Sequence, residues 1–263
     1  MIKKFSYIFL PIILVLSCED VAPTQDNPLD PGNEDYVEPT ITFVGDISNG
    51  DTIYSESITL GWDGNELVTE YRYKLDEFPW ADWSSENFAT LDYLDEGQHN
   101  ISIQSRYLSG DTSAIIDLDF IVDAVDGPSL MFFPRRQITT QGETVIFKIL
   151  AEEVSALMAA EIHIDFDPSK IEIISISQGS FFQNGQESIF SYDINDGSIE
   201  ILTSLLNGEI PYVNGTGELA QIEVKTISDG LITLSFSPYN NFRNPQNENI
   251  NISNAVNGLV EVY

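Results

Sequence analysis

Along residues 159–167, Ala-Ala-Glu-Ile-His-Ile-Asp-Phe-Asp, an imidazole lies between two carboxylates, each two residues away. Side chains alternate sides on an extended strand. Glu161, His163 and Asp165 therefore share one face at roughly 7 Å spacing, and Ile162, Ile164 and Phe166 share the other. Such a trio has the groups for acid–base work, for a metal ion or for a polar docking surface. A metal site needs a further ligand and a concave pocket. This strand supplies neither, so no metal ion or cofactor is assigned. Glu200 and Ser204, in the strand after Gly197, are candidates for the same partner-binding face.

A rival set of residues lies earlier. Tyr71, Tyr73, Phe78, Trp80 and Trp83 are close in sequence, and aromatic rings can stack on sugar faces or anchor a protein partner. Trp80, Trp83 and Tyr73 are the carbohydrate-binding alternative. Core packing competes with that role: Tyr71 and Tyr73 point to one side of their strand, and Trp62 reads as core. His99 follows a glycine turn at the start of a strand and reads as structural. Asp167-Pro168 reads as a turn, because proline at the second position pre-sets φ. Asp193-Ile-Asn-Asp-Gly197 offers oxygen atoms to calcium, but it lacks the spaced acids of a calcium loop and makes a good hairpin turn by itself.

The composition narrows the function classes. The chain has 263 residues, 42 acidic against 11 basic, a net charge of −31, two histidines and one cysteine. So acidic a surface repels phosphate backbones, which argues against nucleic-acid binding. A lone cysteine excludes an internal disulfide. With so many acids, pairs at the separation a glycosidase needs arise by chance, and no nucleophile–base constellation stands out. The chain is read as a binding protein and not an enzyme.

The N-terminus carries a targeting signal. Lys3 and Lys4 precede an apolar stretch from Phe5 to Leu16, the anatomy of a secretory leader, too short to span a bilayer. Its end, Val15-Leu16-Ser17-Cys18, resembles the lipobox of bacterial lipoproteins. The resemblance implies cleavage before Cys18, a lipid on its sulfur, and a place in the bacterial cell envelope, at the outer membrane and on its surface if Glu19-Asp20 acts as an export signal. Residues 1–17 are thus the signal peptide and 18–38 an anchored tether. Between residues 19 and 39 the tether has seven acids, several prolines and no base, which predicts a disordered chain stiffened toward extended polyproline II.

Beyond the tether, alternating apolar and polar residues separated by Gly, Asn and Asp clusters predict an all-β chain. Strands are expected over 40–44, 57–62, 70–75, 99–107 and 115–122, then 144–150, 160–166, 171–176, 197–202, 218–225, 231–236 and 258–263. Asp123-Ala-Val-Asp-Gly-Pro128 reads as a boundary between two antiparallel β-sandwiches, 39–125 and 129–263. Tyr71-Arg-Tyr-Lys-Leu-Asp, Trp80-Ala-Asp-Trp-Ser and Leu94-Asp-Glu-Gly-Gln-His-Asn-Ile-Ser-Ile make the first similar to immunoglobulin-like or fibronectin-like modules, without their cysteine pair.

The second sandwich resembles a cohesin jelly roll. Asp165-Phe-Asp-Pro-Ser-Lys-Ile-Glu-Ile173, Gln178-Gly-Ser-Phe181, Asn214-Gly-Thr-Gly-Glu-Leu-Ala-Gln-Ile-Glu-Val-Lys225 and Asn257-Gly-Leu-Val-Glu-Val follow the family's pattern in order. The resemblance, to a family related to carbohydrate-binding modules, implies binding of a dockerin-like protein partner in polysaccharide utilisation. The strand holding Glu161 would contribute to the partner-facing sheet. Glu161 falls where the family often has an acid, and Ala159 where it often has asparagine. Direct carbohydrate binding is the alternative function.

Overall fold

The structure, a computed structural model, describes residues 27–183, 187–206 and 211–263. The expected signal peptide and the expected lipidation site at Cys18 lie outside the described residues. Glu38–Tyr263 forms one compact unit, and the described residues before it belong to another.

Residues 27–36, within the expected tether, form a run of local turns. The Leu29, Gly32 and Asp35 amides donate to the side-chain oxygens of Asn27, Asp30 and Asn33 at 3.0, 2.8 and 2.9 Å. Main-chain bonds from Asp30 to Asn27, Asn33 to Asp30 and Tyr36 to Asn33 close three successive turns. The reason is local: an Asn or Asp every third residue offers its own backbone a competing acceptor. Net charge and proline content alone do not register that spacing.

All regular structure among the described residues is β. Seven strands make the first part: β1 (Ile41–Val44), β2 (Asp51–Ile53), β3 (Ile58–Gly64), β4 (Glu70–Leu75), β5 (Phe88–Leu91), β6 (Gly97–Arg106) and β7 (Ile116–Val122). They form two sheets, ordered β1-β3-β5 and β2-β7-β6-β4. Trp62, Leu60 and Leu91 from one and Ile101, Ile103 and Phe120 from the other fill a common core. Trp62 is 1% exposed, the core position expected for it.

Thirteen strands make the second part. They are β8 (Ser129–Phe133), β9 (Arg136–Thr139), β10 (Thr144–Leu157), β11 (Ala159–Asp165), β12 (Ile171–Gln178), β13 (Ser188–Asn195) and β14 (Ser198–Leu205). There follow β15 (Val213–Thr226), β16 (Gly230–Phe236), β17 (Asn241–Arg243), β18 (Asn249–Ile250), β19 (Asn254–Val256) and β20 (Gly258–Val262). A five-stranded sheet runs β12-β15-β10-β8-β19. An eight-stranded sheet runs β13-β14-β11-β16-β20-β9, with β17 and β18 attached through β11. Phe147, Ile149, Ile222 and Val224 from the first sheet pack with Ile162, Ile164, Ile199, Ile201 and Val260 from the second. β11 and β14 put every second residue inward, as a half-buried sheet requires.

Glycines fix two close approaches. A Cβ on Gly179 would sit 2.2 Å from the Glu218 carbonyl oxygen, and one on Gly217 would meet the Phe181 ring at 2.2 Å. Two motifs noted in the sequence, Gln178-Gly-Ser-Phe181 and the Gly217-Glu-Leu stretch of Asn214–Lys225, are thus two sides of one packing contact.

The two sandwiches meet at Arg135, whose side chain is 4% exposed. Its amide donates to Asp95 Oδ1 at 2.6 Å, one guanidinium nitrogen donates to the Leu94 carbonyl at 3.0 Å and another to Glu56 Oε2 at 3.0 Å. Glu96 accepts from the Ala124 and Val125 amides across the linking segment. Burial pushes the Asp95 and Glu96 carboxyls above the usual range, against the lowering effect of these hydrogen bonds.

Candidate functional site

β11 carries the sequence-predicted trio where alternation put it. Ile162 and Ile164 are fully buried, while Glu161, His163 and Asp165 lie on the outer side of the eight-stranded sheet. β14 runs antiparallel beside it in register, with His163 opposite Glu200 and Ala159 opposite Ser204. All five predicted partner-binding residues therefore share one face. The Asp196-Gly197 corner that turns β13 into β14 brings Asp193 opposite Glu200 on the same side. It is the hairpin expected there, with Gly197 at φ +85°.

His163 Nε2 lies 3.0 Å from Glu161 Oε1. The His163 amide donates to Asn240 Oδ1 at 2.7 Å, and its carbonyl accepts from the Ser237 amide at 2.9 Å. Tyr239 meets the imidazole edge-on, with ring centroids 6.3 Å apart. Glu161, His163 and Glu200 each offer a ligand atom, and these atoms all lie within 4.8 Å of one another. Spacing along one strand could not show this third donor, because Glu200 arrives through cross-strand register. The face thus has a donor set that the sequence reading assigned to no metal.

The face also has an apolar part that sequence reasoning missed. Leu202 is 42% exposed and Ile189 53%. With Ala159, Ser204, Asn241 and Arg243 they line a depression of about 330 Å³ beside Glu161. Alternation in β13 was the signal available: Ile189, Ser191, Asp193 and Asn195 pair with outward residues of β14. A larger hollow of about 630 Å³ lies between the sandwiches, against Tyr54, Tyr93, Arg135 and Asn257, away from this face.

The aromatic alternative is divided. Tyr73 packs on Trp62, ring centroids 5.8 Å apart, as part of the first core. Trp80 and Trp83 instead flank Arg72, whose guanidinium carbon is 4.5 Å and 4.6 Å from their ring centroids. Arg106 lies over Trp83 at 4.4 Å. Arg72 and Tyr73 are neighbours on β4 and project to opposite faces. The rings are thus engaged by cations, and Arg72 is itself held by Gln104 Oε1 at 2.6 Å. These interactions take up ring surface that stacking on a sugar needs.

The remaining acid candidates are structural. Asp167 accepts from the Ser169 amide and hydroxyl at 2.9 and 2.6 Å, closing the expected turn. Those bonds hold its carboxyl below the usual range. His99 is 8% exposed, with Nδ1 2.7 Å from Asp76 Oδ2 and Nε2 2.8 Å from the Asp95 carbonyl.

Comparison with known proteins places the face in context. Residues 136–262 match the cohesin domain family model. That segment contains every strand of the face just described. Among solved structures, the chain is similar to a non-cellulosomal cohesin from the archaeon Archaeoglobus fulgidus, with 14% identity, 51% of this chain and 90% of that one covered, and a TM-score of 0.44. It is similar to a cohesin from Acetivibrio cellulolyticus solved with a dockerin, at 20% identity, 51% and 97% coverage and a TM-score of 0.44. A cohesin–dockerin complex from Clostridium thermocellum matches at 17% identity, 51% and 98% coverage and a TM-score of 0.45. No curated protein matches the chain.

Proposed function

We propose that this chain is a non-catalytic lipoprotein of the bacterial cell envelope. Its cohesin-like domain captures a dockerin-like segment of an exported protein in polysaccharide utilisation. The observation that carries the reading is the match of residues 136–262 to the cohesin domain, joined to an uncovered sheet face of mixed character. Leu202 and Ile189 give that face an apolar floor, and Glu161, Asp165 and Glu200 give it a polar rim. That combination suits protein recognition, in which a desolvated centre supplies affinity and the rim supplies selectivity. A lipid on Cys18 would hold the domain at the membrane, and the immunoglobulin-like first sandwich would space it from the surface. Anchoring concentrates several such receptors in one plane, which favours multivalent capture.

The test is capture from the secreted proteins of the source bacterium on the immobilised chain. The wild-type chain retains a protein that carries paired calcium-loop repeats, and Leu202→Asp loses at least about tenfold of that binding by placing a charge in the apolar floor. Retention of polysaccharide with no repeat-bearing protein would favour direct carbohydrate binding instead.

A further inference from the structure

We propose that Glu161, His163 and Glu200 form a three-ligand site for a divalent transition metal, zinc being the ion that suits this donor set. The donors are one imidazole and two carboxylates, not acids alone, and they come from two adjacent strands in fixed register. The 3.0 Å between His163 Nε2 and Glu161 Oε1 is close to the span of two ligands that bind one ion at about 2.0–2.2 Å. An ion there replaces the shared proton. Glu200 Oε closes the third position after a small side-chain rotation, since all three atoms already lie within 4.8 Å.

Charge adds a second argument. Among the described residues, neither Glu161 nor Glu200 has a lysine or arginine within ion-pair distance, and Glu161 has only the imidazole. Asp165 and Asp193 stand next to them on the same face. In a chain of net charge −31, Arg243 lines the depression beside Glu161 without an ion pair to this part-buried cluster among the described residues, and a divalent ion supplies the positive charge directly. Nitrogen ligation and so few donors suit zinc, whereas calcium takes six to eight oxygens. Three protein ligands leave a position open toward solvent, filled by water or by a donor from a docked partner. The site stands apart from the proposed function, because metal uptake is measured without any partner.

Histidine usage makes the test clean. His99 has both ring nitrogens occupied, and His163 is the chain's other histidine. The full chain, stripped of metal, is titrated calorimetrically with zinc chloride, and with calcium chloride as the competing ion. One equivalent of zinc binds the wild type. His163→Gln and Glu200→Gln each weaken binding at least about tenfold, while Glu172→Gln, which removes an equal charge from β12, leaves it unchanged. Zinc also shifts the His163 ring signals in the nuclear magnetic resonance spectrum of the wild type and spares those of His99, a readout independent of how the variants fold. Equal zinc uptake by wild type and His163→Gln, displacement of zinc by equimolar calcium, or unmoved His163 signals would overturn the site.

Discussion

The two histidines sit in opposite electrostatic settings. His99 lies inside the first sandwich, stacked on Phe120 with ring centroids 5.4 Å apart, and gives both nitrogens to fixed partners. His163 lies on the outer sheet of the second, part-buried, beside carboxylates that no lysine or arginine among the described residues pairs with. The same contrast holds for the arginines of the frame: Arg135 reaches a carbonyl and two acids, and Arg72 and Arg106 lie against tryptophan rings. These arginines are thus committed to the frame, whereas the carboxylates around His163 make no ion pair with a lysine or arginine among the described residues. Buried polar groups must be paired to be tolerated, but surface groups can stay unpaired and await a ligand.

Arg135 gives this contrast its largest expected effect. Arg135→Met keeps the apolar stem and removes the donors, leaving the Leu94 carbonyl without its partner and Glu56 without its cation. Because the arginine is 4% exposed and Glu56 about half-exposed, the expected loss is about 2–4 kcal/mol of unfolding free energy, below the upper range for a wholly buried pair. Equilibrium denaturation with urea measures it. A loss under about 0.5 kcal/mol, the scale of an ordinary surface change, would show that the junction does not depend on this residue.

His99 comes next and brings a pH signature. Burial alone would lower its pKa, yet the hydrogen bond to Asp76, the Asp95 carbonyl and the two carboxylate charges outweigh burial and raise it. The folded-state pKa thus lies above the unfolded value of about 6.5. Its stabilisation is complete below about pH 6.5 and is lost as pH rises through the folded pKa. His99→Gln therefore costs about 1–3 kcal/mol at pH about 6, and the gap from wild type narrows toward pH about 9. Burial also raises the Asp95 carboxyl, which makes stability fall with rising pH in the acid range. The variant difference isolates the histidine. Thermal unfolding at several pH values, with the gap widening as pH rises, would reverse the assignment.

How far the sequence could carry this account follows from the range of each signal. Alternation within one strand located Ile162, Ile164 and their polar neighbours, because the period of two needs no partner. Glu200 stands opposite His163 only through pairing register, which one strand does not encode. β10 continues to Leu157, beyond the expected end at 150, because bulges at Glu153 and Ala156, at φ 48° and 54°, interrupt the alternation without ending the strand. β2, β17, β18 and β19 have two or three residues, too few for any period. Arg135, in Phe-Pro-Arg-Arg, carries no signal in the sequence, since nothing local distinguishes an arginine that reaches Glu56 across the junction. Arg72 was hidden between Tyr71 and Tyr73, although alternation already placed it on the other face.

The smallest expected effect tests the contrast from the other side. In metal-free buffer Glu200→Gln removes one member of a like-charged group that includes Glu161, Asp165 and Asp193, and among the described residues it breaks no ion pair. Coulomb repulsion between half-exposed carboxylates is weakened by solvent and salt. Stability should therefore stay within about 0.5 kcal/mol of wild type, shifting if at all toward greater stability at low ionic strength, with the difference vanishing as salt is added. Denaturant unfolding in low and high salt measures this against the Arg135→Met value. A loss above about 1 kcal/mol, unaffected by salt, would mean that Glu200 makes a structural contact as important as those in the frame, and the face would then no longer be a reserve of unpaired charge.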